Sequence, residues 1–358
     1  MCSFFEIPKE VLKKLDHFRS RFFWQGSEEK KKYRLTKWNV ICRPRDQGGL
    51  GVLDLEVQNK CMLSKWIFKL FNEDGMWQQM LRNKYLANKT LTQVQAKPGD
   101  SHFWSGLMRV KSDFFNYGGF ILKNGSQIRY WEDKWLDNTP LKDQYPSLYN
   151  IVRRKNDTVA TILQTGASAM SFRRYLTGPN LNAWQSLSNR LSAIHLTEET
   201  DSFKWELNQN GIFTVSSMYN TMINSHILPN NPLLWKIKVP LKVKIFLWLL
   251  YKKVILTKDN LARKNWKGNK KCCFCNLDEN IHHLFFDCPF AKFIWRVISI
   301  AFNIQIPEST SHVYGAWFTN FDASIKYQML VGTGAICWAI WFSRNDYVFN
   351  KAKILTPM

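Results

Sequence analysis

Four side chains that can bind a metal ion lie close together in the sequence. They are Cys272, Cys275, His283 and Cys288, in the pattern Cys-x2-Cys-x7-His-x4-Cys. Three thiolates and one imidazole complete a tetrahedral zinc shell, and a shell filled by protein leaves no open position for a substrate or a catalytic water. The spacing therefore predicts one structural Zn²⁺ ion and argues for folding and binding before catalysis.

Two neighbouring residues, Cys273 and His282, offer alternative ligands. Cys273 is expected to point away from the side on which Cys272 lies, and His282 would shorten the loop to the histidine by one residue. Two other interpretations stay open. Free cysteines can pack as small hydrophobic residues, and Cys-x-x-Cys is also a redox motif, although the strand–helix context of thioredoxin-like proteins is missing here.

The local sequence indicates which elements would hold these ligands. Cys272 and Cys275 suit a knuckle, a tight turn that presents both sulfurs to one ion. Leu284, Phe285 and Phe286 would form an apolar wall, and a helix over 289–302 would begin directly after Cys288. Pro240 likewise suits the start of a helix, and Asp54 and Thr257 are plausible helix caps.

The 358 residues are sufficient for two or three compact domains. We predict a mainly α fold with small β-hairpins (α+β), in four segments. These are a helical region (1–122), a connector with short hairpins (123–228), a zinc-binding domain (229–302) and a helical tail (303–358). Pro229 and Pro232 mark the second boundary, and the charged run 28–32 is expected to form a turn.

Two kinds of periodic pattern support this fold class. Apolar residues in the first helix recur at steps of three and four, which predicts one helical face: Val11, Leu12, Leu15, Phe18, Phe22 and Phe23. In the connector, Asn124-Gly125 and Asn210-Gly211 are hairpin-type turns. The second turn lies between 203–207 and 212–215, so we predict a hairpin over 203–215.

The net charge indicates a polyanionic partner. The chain has 50 Lys and Arg against 28 Asp and Glu, a net of +22. Residues 229–296 hold fourteen basic and four acidic residues, a net of +10. Basic and aromatic side chains beside a zinc knuckle are typical of proteins that bind nucleic acid by phosphate contact and base stacking. An anionic membrane surface is the weaker alternative.

The residues expected to bind RNA or DNA lie around the cysteine cluster: Lys242, Lys244, Lys252, Lys253, Lys264, Trp266, Lys267, Lys270 and Lys271. Tyr251 and Phe274 are further stacking candidates. We expect Trp266 to be exposed because it lies between two lysines, and Trp248 to be a core residue because its neighbours are apolar.

Cysteine usage and hydropathy favour an intracellular protein, nuclear or cytoplasmic. Half of the eight cysteines fall within 272–288, unlike a secreted disulfide scaffold, and no signal sequence is apparent. The longest uncharged run, 327–343, falls short of a membrane span and predicts a buried helix. We therefore expect neither a membrane nor a small-molecule substrate as partner.

Acidic clusters that could hold catalytic metals are lacking. Two-metal polymerases and nucleases need closely placed carboxylates, and the sequence contains no Asp-Asp dipeptide. Hydrolase activity therefore ranks last among the functions considered, and we expect a protein that is not an enzyme.

The segments 271–275 (Lys-Cys-Cys-Phe-Cys) and 283–291 (His-Leu-Phe-Phe-Asp-Cys-Pro-Phe-Ala) carry a family resemblance. They resemble the zinc-binding domain that follows the polymerase in plant LINE-type (non-LTR) retrotransposon reverse transcriptases. Stretches at 22–26, 48–55, 125–136, 211–219 and 341–350 are also typical of this family. The resemblance covers nearly the whole chain and is most specific in the zinc segment.

The resemblance implies a thumb-like helical part, a connector and a zinc domain beyond the polymerase palm. The Tyr-x-Asp-Asp polymerase signature, the endonuclease and the ribonuclease H carboxylates are not recognised in this sequence. Cys273 and Asn280 depart from the family pattern without removing a proposed ligand. We therefore expect a non-catalytic reverse-transcriptase fragment that binds zinc and nucleic acid, with other retroelement proteins as further partners. The alternatives are a zinc-dependent protein-interaction module and a decayed fragment without function.

Overall fold

A computed structural model describes most of the chain: residues 4–25, 33–87, 89–165, 170–224, 233–319, 321–322 and 325–350. The predicted turn at 28–32 and the predicted boundary at Pro229 and Pro232 lie outside these ranges.

Helices dominate the described residues. The helices of the first two thirds are α1 (Lys9–Gln25), α2 (Trp38–Cys42), α3 (Leu55–Asn72), α4 (Met76–Leu81), α5 (His102–Phe115), α6 (Leu141–Gln144), α7 (Pro146–Ile151), α8 (Val159–Thr165), α9 (Pro179–Leu191) and α10 (Val215–Ile223). They are followed by α11 (Leu233–Lys236), α12 (Leu241–Tyr251), α13 (Lys258–Ala262), α14 (Pro289–Phe302), α15 (Thr310–Val313), α16 (Ala316–Thr319) and α17 (Lys326–Asn350). The described strands are β1 (Gly118–Ile121) and β2 (Ser202–Trp205).

The contacts divide the chain into two compact units. The first unit comprises Met1–Asp16 and Leu53–His226, and the second comprises His17–Val52 and Ile227–Met358. The four segments predicted from the sequence follow another scheme, and their boundaries stay predictions. The mainly helical fold class with a small antiparallel sheet is confirmed.

An aromatic core holds the first unit together. Strands β1 and β2 pair antiparallel, from Gly118 opposite Trp205 to Ile121 opposite Ser202. Helices α3 and α5 pack together, and Phe114 of α5 stacks on Phe203 and Trp205 of β2 at centroid distances of 4.8 and 5.3 Å. Large buried rings contribute strongly to the hydrophobic stabilisation of such a core.

The hairpin predicted over 203–215 is wrong in its pairing. Residues 203–205 do form a strand, but its partner β1 lies more than eighty residues earlier in the chain. After the turn at Gly211, residues 212–214 form no strand, and Thr214 caps α10 by accepting a hydrogen bond from the Ser217 N–H. At the other turn, the Asp201 carboxylate accepts the N–H groups of Lys123, Gly125 and Gln127. This carboxylate holds the Asn124-Gly125 turn, and no cross-strand ladder does.

Several predicted helix signals are confirmed. Asp54 caps α3, since its carboxylate accepts the N–H groups of Glu56 and Val57. Helix α12 follows Pro240, and α14 has the predicted bounds. Thr257 precedes α13, but its hydroxyl donates to the Asp259 carboxylate and makes no capping bond with the backbone.

Helix α1 forms as its periodicity predicts, yet much of its apolar face is uncovered. Leu12 is buried, whereas the four residues at heptad spacing are exposed: Val11, Leu15, Phe18 and Phe22. Periodicity reports that a helix has an apolar side and not what packs against it.

The second unit is built around α12 and the long helix α17. Phe246, Leu247 and Trp248 of α12 are buried, and the Trp248 indole N–H donates to the Gly48 carbonyl at 3.0 Å, which confirms Trp248 as a core residue. A Cβ atom at Gly334 of α17 would lie 2.9 Å from Leu247 Cδ1, so this glycine allows the two helices to approach closely. The uncharged run 327–343 lies in α17, and no described helix is long and apolar enough to cross a membrane.

Candidate metal centre

The structure brings the four predicted ligands together. One ligand atom each from Cys272, Cys275, His283 and Cys288 lies within 4.8 Å of all the others. The Sγ of Cys288 lies 3.9 Å from that of Cys272 and 4.0 Å from that of Cys275, and Cys275 Sγ lies 3.2 Å from His283 Nε2. Bond lengths for zinc of about 2.3 Å to sulfur and 2.0–2.1 Å to nitrogen place tetrahedral donors about 3.5–3.8 Å apart. The donor set and its spacing therefore fit one zinc ion.

A short hairpin presents the first two cysteines. Lys271 and Asp278 form an isolated antiparallel bridge, the Cys272 N–H donates to the Leu277 carbonyl at 2.7 Å, and the Glu279 N–H donates to the Lys270 carbonyl at 2.9 Å. The chain therefore reverses tightly between Cys272 and Leu277, as a zinc knuckle requires.

A single π turn presents the other two ligands. Residues His283–Asp287 adopt this turn, and the Cys288 N–H donates to the His283 carbonyl at 2.7 Å. In a regular α-helix, residues five apart point about 140° away from each other around the axis. The wider π turn rotates His283 and Cys288 towards the same side, and such turns recur at functional sites.

The site is enclosed on its inner side. Cys272, His283 and Cys288 are buried, whereas Cys275 is half-buried. Leu284, Phe285 and Phe286 are buried in the same hydrophobic core as α12 and α17, which is the predicted apolar wall. An apolar surrounding strengthens the attraction between thiolates and a cation, because little water screens it.

Hydrogen bonds among the thiols separate their acidities. Bonds from Cys273 and then Cys288 hold the pKa of Cys272 far below its ordinary value. The bond to Cys272, together with burial, raises the pKa of Cys288. Without a cation, only one sulfur of this pair ionises readily, since two thiolates this close repel. A divalent ion removes the repulsion and favours thiolate at every ligand.

The two alternative ligands are placed differently. His282 is exposed and its Nδ1 bonds the Asp287 carboxylate at 2.5 Å, so it does not join the cluster. Cys273 belongs to a second group with Cys272 and Glu279. The structure thus assembles the four residues that the spacing favours and leaves Cys273 as a neighbour.

A buried ion pair that sequence reasoning missed ties the hairpin to α17. Arg344 Nη2 and Nε donate to the two carboxylate oxygens of Glu279 at 2.7 and 3.3 Å. The Arg344 side chain is 2% exposed and that of Glu279 is not exposed at all. The Lys258 N–H also donates to Glu279, so one carboxylate fixes the hairpin, α13 and α17. A separation of 65 residues hides this pairing from local patterns.

The lysines predicted to bind nucleic acid differ in their exposure and in their contacts with other residues. Exposed lysines are Lys242, Lys253, Lys267, Lys270 and Lys271. Among them, Lys242 lies over the Trp338 ring at 5.5 Å and Lys271 pairs with Asp278 at 2.9 Å. Lys244 is half-buried and donates to the Trp235 carbonyl. Lys252 is also half-buried, and burial followed by the Arg43 charge lowers its pKa.

Lys264 is accompanied by an aromatic residue that sequence reasoning missed. Its ammonium donates to the Arg34 carbonyl at 3.1 Å and lies 5.8 Å from the Tyr33 ring centre. Tyr33 is 42% exposed. Because 230 residues separate Lys264 from Arg34, only the fold brings these groups together.

The predicted stacking residues are partly covered. Trp266 is half-buried rather than exposed, since its indole lies over Gly268. Phe274 stacks on Phe290 at a centroid distance of 4.4 Å, and Tyr251 makes an edge-to-face contact with Tyr314. Tyr33 therefore adds an exposed ring beside Lys264.

Comparison with known proteins gives an independent view of the same region. Residues 213–295 match the family described as zinc-binding in reverse transcriptase. A candidate ribonuclease H protein of Arabidopsis thaliana is 30% identical over 306 residues, covering 82% of this chain and 48% of that protein. The chain thus spans about half the length of this relative. An uncharacterised mitochondrial protein of the same plant is 26% identical over 142 residues, 39% of this chain and 92% of its own.

Proposed function

From the premise that residues 213–295 are a zinc-binding domain of the reverse-transcriptase type, we propose that this retroelement-derived protein binds RNA or DNA. One structural zinc ion, held by Cys272, Cys275, His283 and Cys288, folds the domain, and the basic surface around it contacts phosphates. No catalytic role is proposed for this chain.

The closed donor set supports a structural role for the metal. Four protein side chains fill a tetrahedral shell, so no position is left for the water or substrate that a catalytic zinc needs. The ligands come from a hairpin and a π turn that pack against the core of the second unit. Metal binding there adds directly to folding free energy.

One observation carries the nucleic-acid proposal: the local excess of ten positive charges over residues 229–296. Lys267 and Lys270 lie exposed beside the hairpin, and Lys264 lies over the exposed Tyr33 ring. Ammonium groups neutralise phosphates and release counterions, whereas an exposed ring stacks on an unpaired base. A single strand therefore suits this surface better than a regular duplex.

The test is the salt dependence of binding to a short single-stranded RNA. Each phosphate contact contributes about −0.7 to the slope of log K against log salt concentration for single strands. We expect the double variant Lys267→Gln/Lys270→Gln to flatten the slope by roughly one to two units. Lys65→Gln/Lys97→Gln removes the same charge from exposed positions of the first unit and should leave the slope nearly unchanged. Binding that ignores salt, or equal effects of both pairs, would refute the proposal.

Exposed apolar residues on α14 favour a second function, a protein-interaction module. Phe293, Val297 and Ile300 lie at helical spacing and are 55%, 49% and 76% exposed. Such a stripe is typical of a helix that packs against a partner. Partners retained after nuclease treatment, and lost in Phe293→Asp/Ile300→Asp with the zinc content intact, would support this function over nucleic-acid binding.

A further inference from the structure

A cavity of about 260 Å³ lies within the first unit, apart from the zinc-bearing domain. Its walls come from the end of α3, the π turn Arg82–Leu86, the loop at 89–91 and the loop around Ser126 and Arg129. Leu70, Phe71 and Leu91 supply apolar surface. The cavity is therefore a mixed pocket, with a hydrophobic wall and a polar side.

The polar side contains an arginine that is almost fully buried. Arg129 is 4% exposed, and its Nε donates to Thr90 Oγ1 at 3.2 Å. Within the part of the chain that the structure describes, neither terminal nitrogen of this guanidinium has a hydrogen-bond partner. Neither of them is a fully enclosed atom either. Arg129 lines the cavity, so a ligand bound there would lie next to this side chain.

Unpartnered guanidinium nitrogens in such a position point to an absent acceptor. Arginine keeps its charge in proteins, and a buried charge without a partner is costly. Arg129 has no ion pair among the described residues, although the charges of Glu132, Asp133 and Asp157 act on it from nearby. Glu132 and Asp157 offset part of its charge, and the terminal nitrogens remain available to a ligand.

The other charged groups around the cavity are also cationic. Arg82 and Lys89 line it, and no carboxylate is found among the described lining residues. Arg82 already donates hydrogen bonds to Asp74 and to the Leu70 and Glu73 carbonyls. It therefore adds positive electrostatic potential to the cavity but few available hydrogen-bond donors. Lys89 is exposed to solvent. The electrostatic potential of the pocket therefore favours an anion.

The backbone at the rim is unusual as well. Ala87 has φ 46° and ψ −112° and directly follows the π turn Arg82–Leu86. Non-glycine residues with such angles, like π turns, cluster at ligand sites because the surrounding fold must hold them. Here they shape one wall of the pocket.

We propose that this cavity binds a phosphoryl group, presented by a free nucleotide or by a nucleic-acid strand. The two terminal nitrogens of Arg129 would hold two phosphate oxygens in the bidentate manner that guanidinium favours, and Lys89 would neutralise charge at the mouth. The apolar wall would take the base or sugar. The site lies outside the zinc-binding segment and does not depend on the function proposed for that segment.

The experiment is calorimetric titration of the full chain with inorganic phosphate and with adenosine monophosphate, each repeated with single-stranded RNA as competitor. We expect saturable binding of both small probes. Arg129→Gln should weaken it roughly 10- to 100-fold, since hydrogen bonds to charged groups are lost. Arg129→Lys keeps the positive charge but lacks the paired guanidinium nitrogens that can bind two phosphate oxygens, so it should recover little of the affinity. Displacement by RNA identifies a strand phosphate as the source, and its absence identifies a free nucleotide.

Two further variants keep the test decisive if the buried substitutions disturb folding. Lys89→Gln changes an exposed side chain and should still weaken phosphate binding severalfold. Arg154→Gln removes an exposed arginine of the same unit that does not line the cavity and should have no effect. No saturable binding to the unaltered protein, or equal losses in Lys89→Gln and Arg154→Gln, would overturn the assignment.

Discussion

The buried ion pair between Glu279 and Arg344 gives a quantitative test of how the zinc hairpin is held. Replacing Arg344 with Met keeps most of the side-chain volume but leaves the Glu279 carboxylate in a site with no exposed surface. Among the residues that the structure describes, the other donor to that carboxylate is the Lys258 N–H, and one amide cannot stabilise a buried charge. The matched comparison is the surface pair Lys271–Asp278, whose side chains are 53% and 75% exposed.

The expected magnitudes differ severalfold. Removing one partner of a buried pair costs about 3–5 kcal/mol, whereas an exposed pair contributes about 0–1 kcal/mol. Arg344→Met should therefore lower the free energy of unfolding of the second unit by about 3–5 kcal/mol, and Lys271→Met by less than about 1 kcal/mol. The double variant Glu279→Gln/Arg344→Met removes both charges and should recover most of the loss, because neutral replacement of a buried pair is often tolerated.

The assay is urea unfolding of the zinc-loaded chain, monitored by the absorbance of a chelator that changes colour when it binds the released zinc. This signal reports the second unit, in which the ligands lie. Hydrogen exchange at Leu284 and Phe285 provides an independent reading of the same region. The reasoning fails if Arg344→Met behaves like Lys271→Met, or if the double variant is as unstable as the single one.

Three further predictions concern other parts of the chain. Cys275→Ser should abolish stoichiometric zinc in metal analysis and unfold residues 265–295 locally. Cys273→Ser should retain the ion. Zinc retained in the Cys275→Ser variant would show that Cys275 is not a ligand. Burial raises the pKa of Asp133 to about 7. Between about pH 4 and about pH 7 the folded protein therefore keeps a proton on this carboxyl group that the unfolded chain has already released. Because the unfolded chain binds fewer protons, the free energy of unfolding contributed by Asp133 falls as the pH rises through this range. Asp133→Asn should therefore stabilise the protein at about pH 8 by up to about 4 kcal/mol and much less at about pH 5 in urea unfolding; an equal effect at both pH values would contradict the raised pKa. Gly268→Ala would place a Cβ 1.9 Å from Trp266 Cζ2, so we expect the free energy of unfolding to fall by about 1–3 kcal/mol. Hydrogen exchange at residues 261–268 should become faster while the zinc content stays the same. Unchanged exchange would show that the indole does not pack there.

Local signals predicted the elements around the zinc ligands well. Cysteine spacing, Pro289 and the apolar run 284–286 each act over a few residues, and the hairpin, the apolar wall and α14 lie where these signals place them. The resemblance read from the same residues is confirmed by the family match over 213–295. The π turn itself has no local sequence signature, although it is what brings His283 and Cys288 to one side.

Long-range pairings were the part that the sequence could not supply. The strand at Ser202–Trp205 was expected to pair with the next few residues, but the aromatic core made with Phe114 favours β1 as its partner. The contacts of Glu279 with Arg344 and of Lys264 with Tyr33 join distant segments. Charge and periodicity identify such residues as polar or apolar, and only packing decides which of them meet.

The Glu279–Arg344 contact also sets an order of events during synthesis. The last zinc ligand, Cys288, leaves the ribosome well before Arg344, which follows Glu279 by 65 residues. At about 5–20 residues per second, Arg344 is added roughly 3 to 13 seconds after Glu279. During that interval the nascent zinc hairpin holds a carboxylate whose partner does not yet exist. The zinc-binding fold is therefore completed late, once α17 has been synthesised. Truncation before Arg344 should leave a hairpin that gains and loses zinc readily.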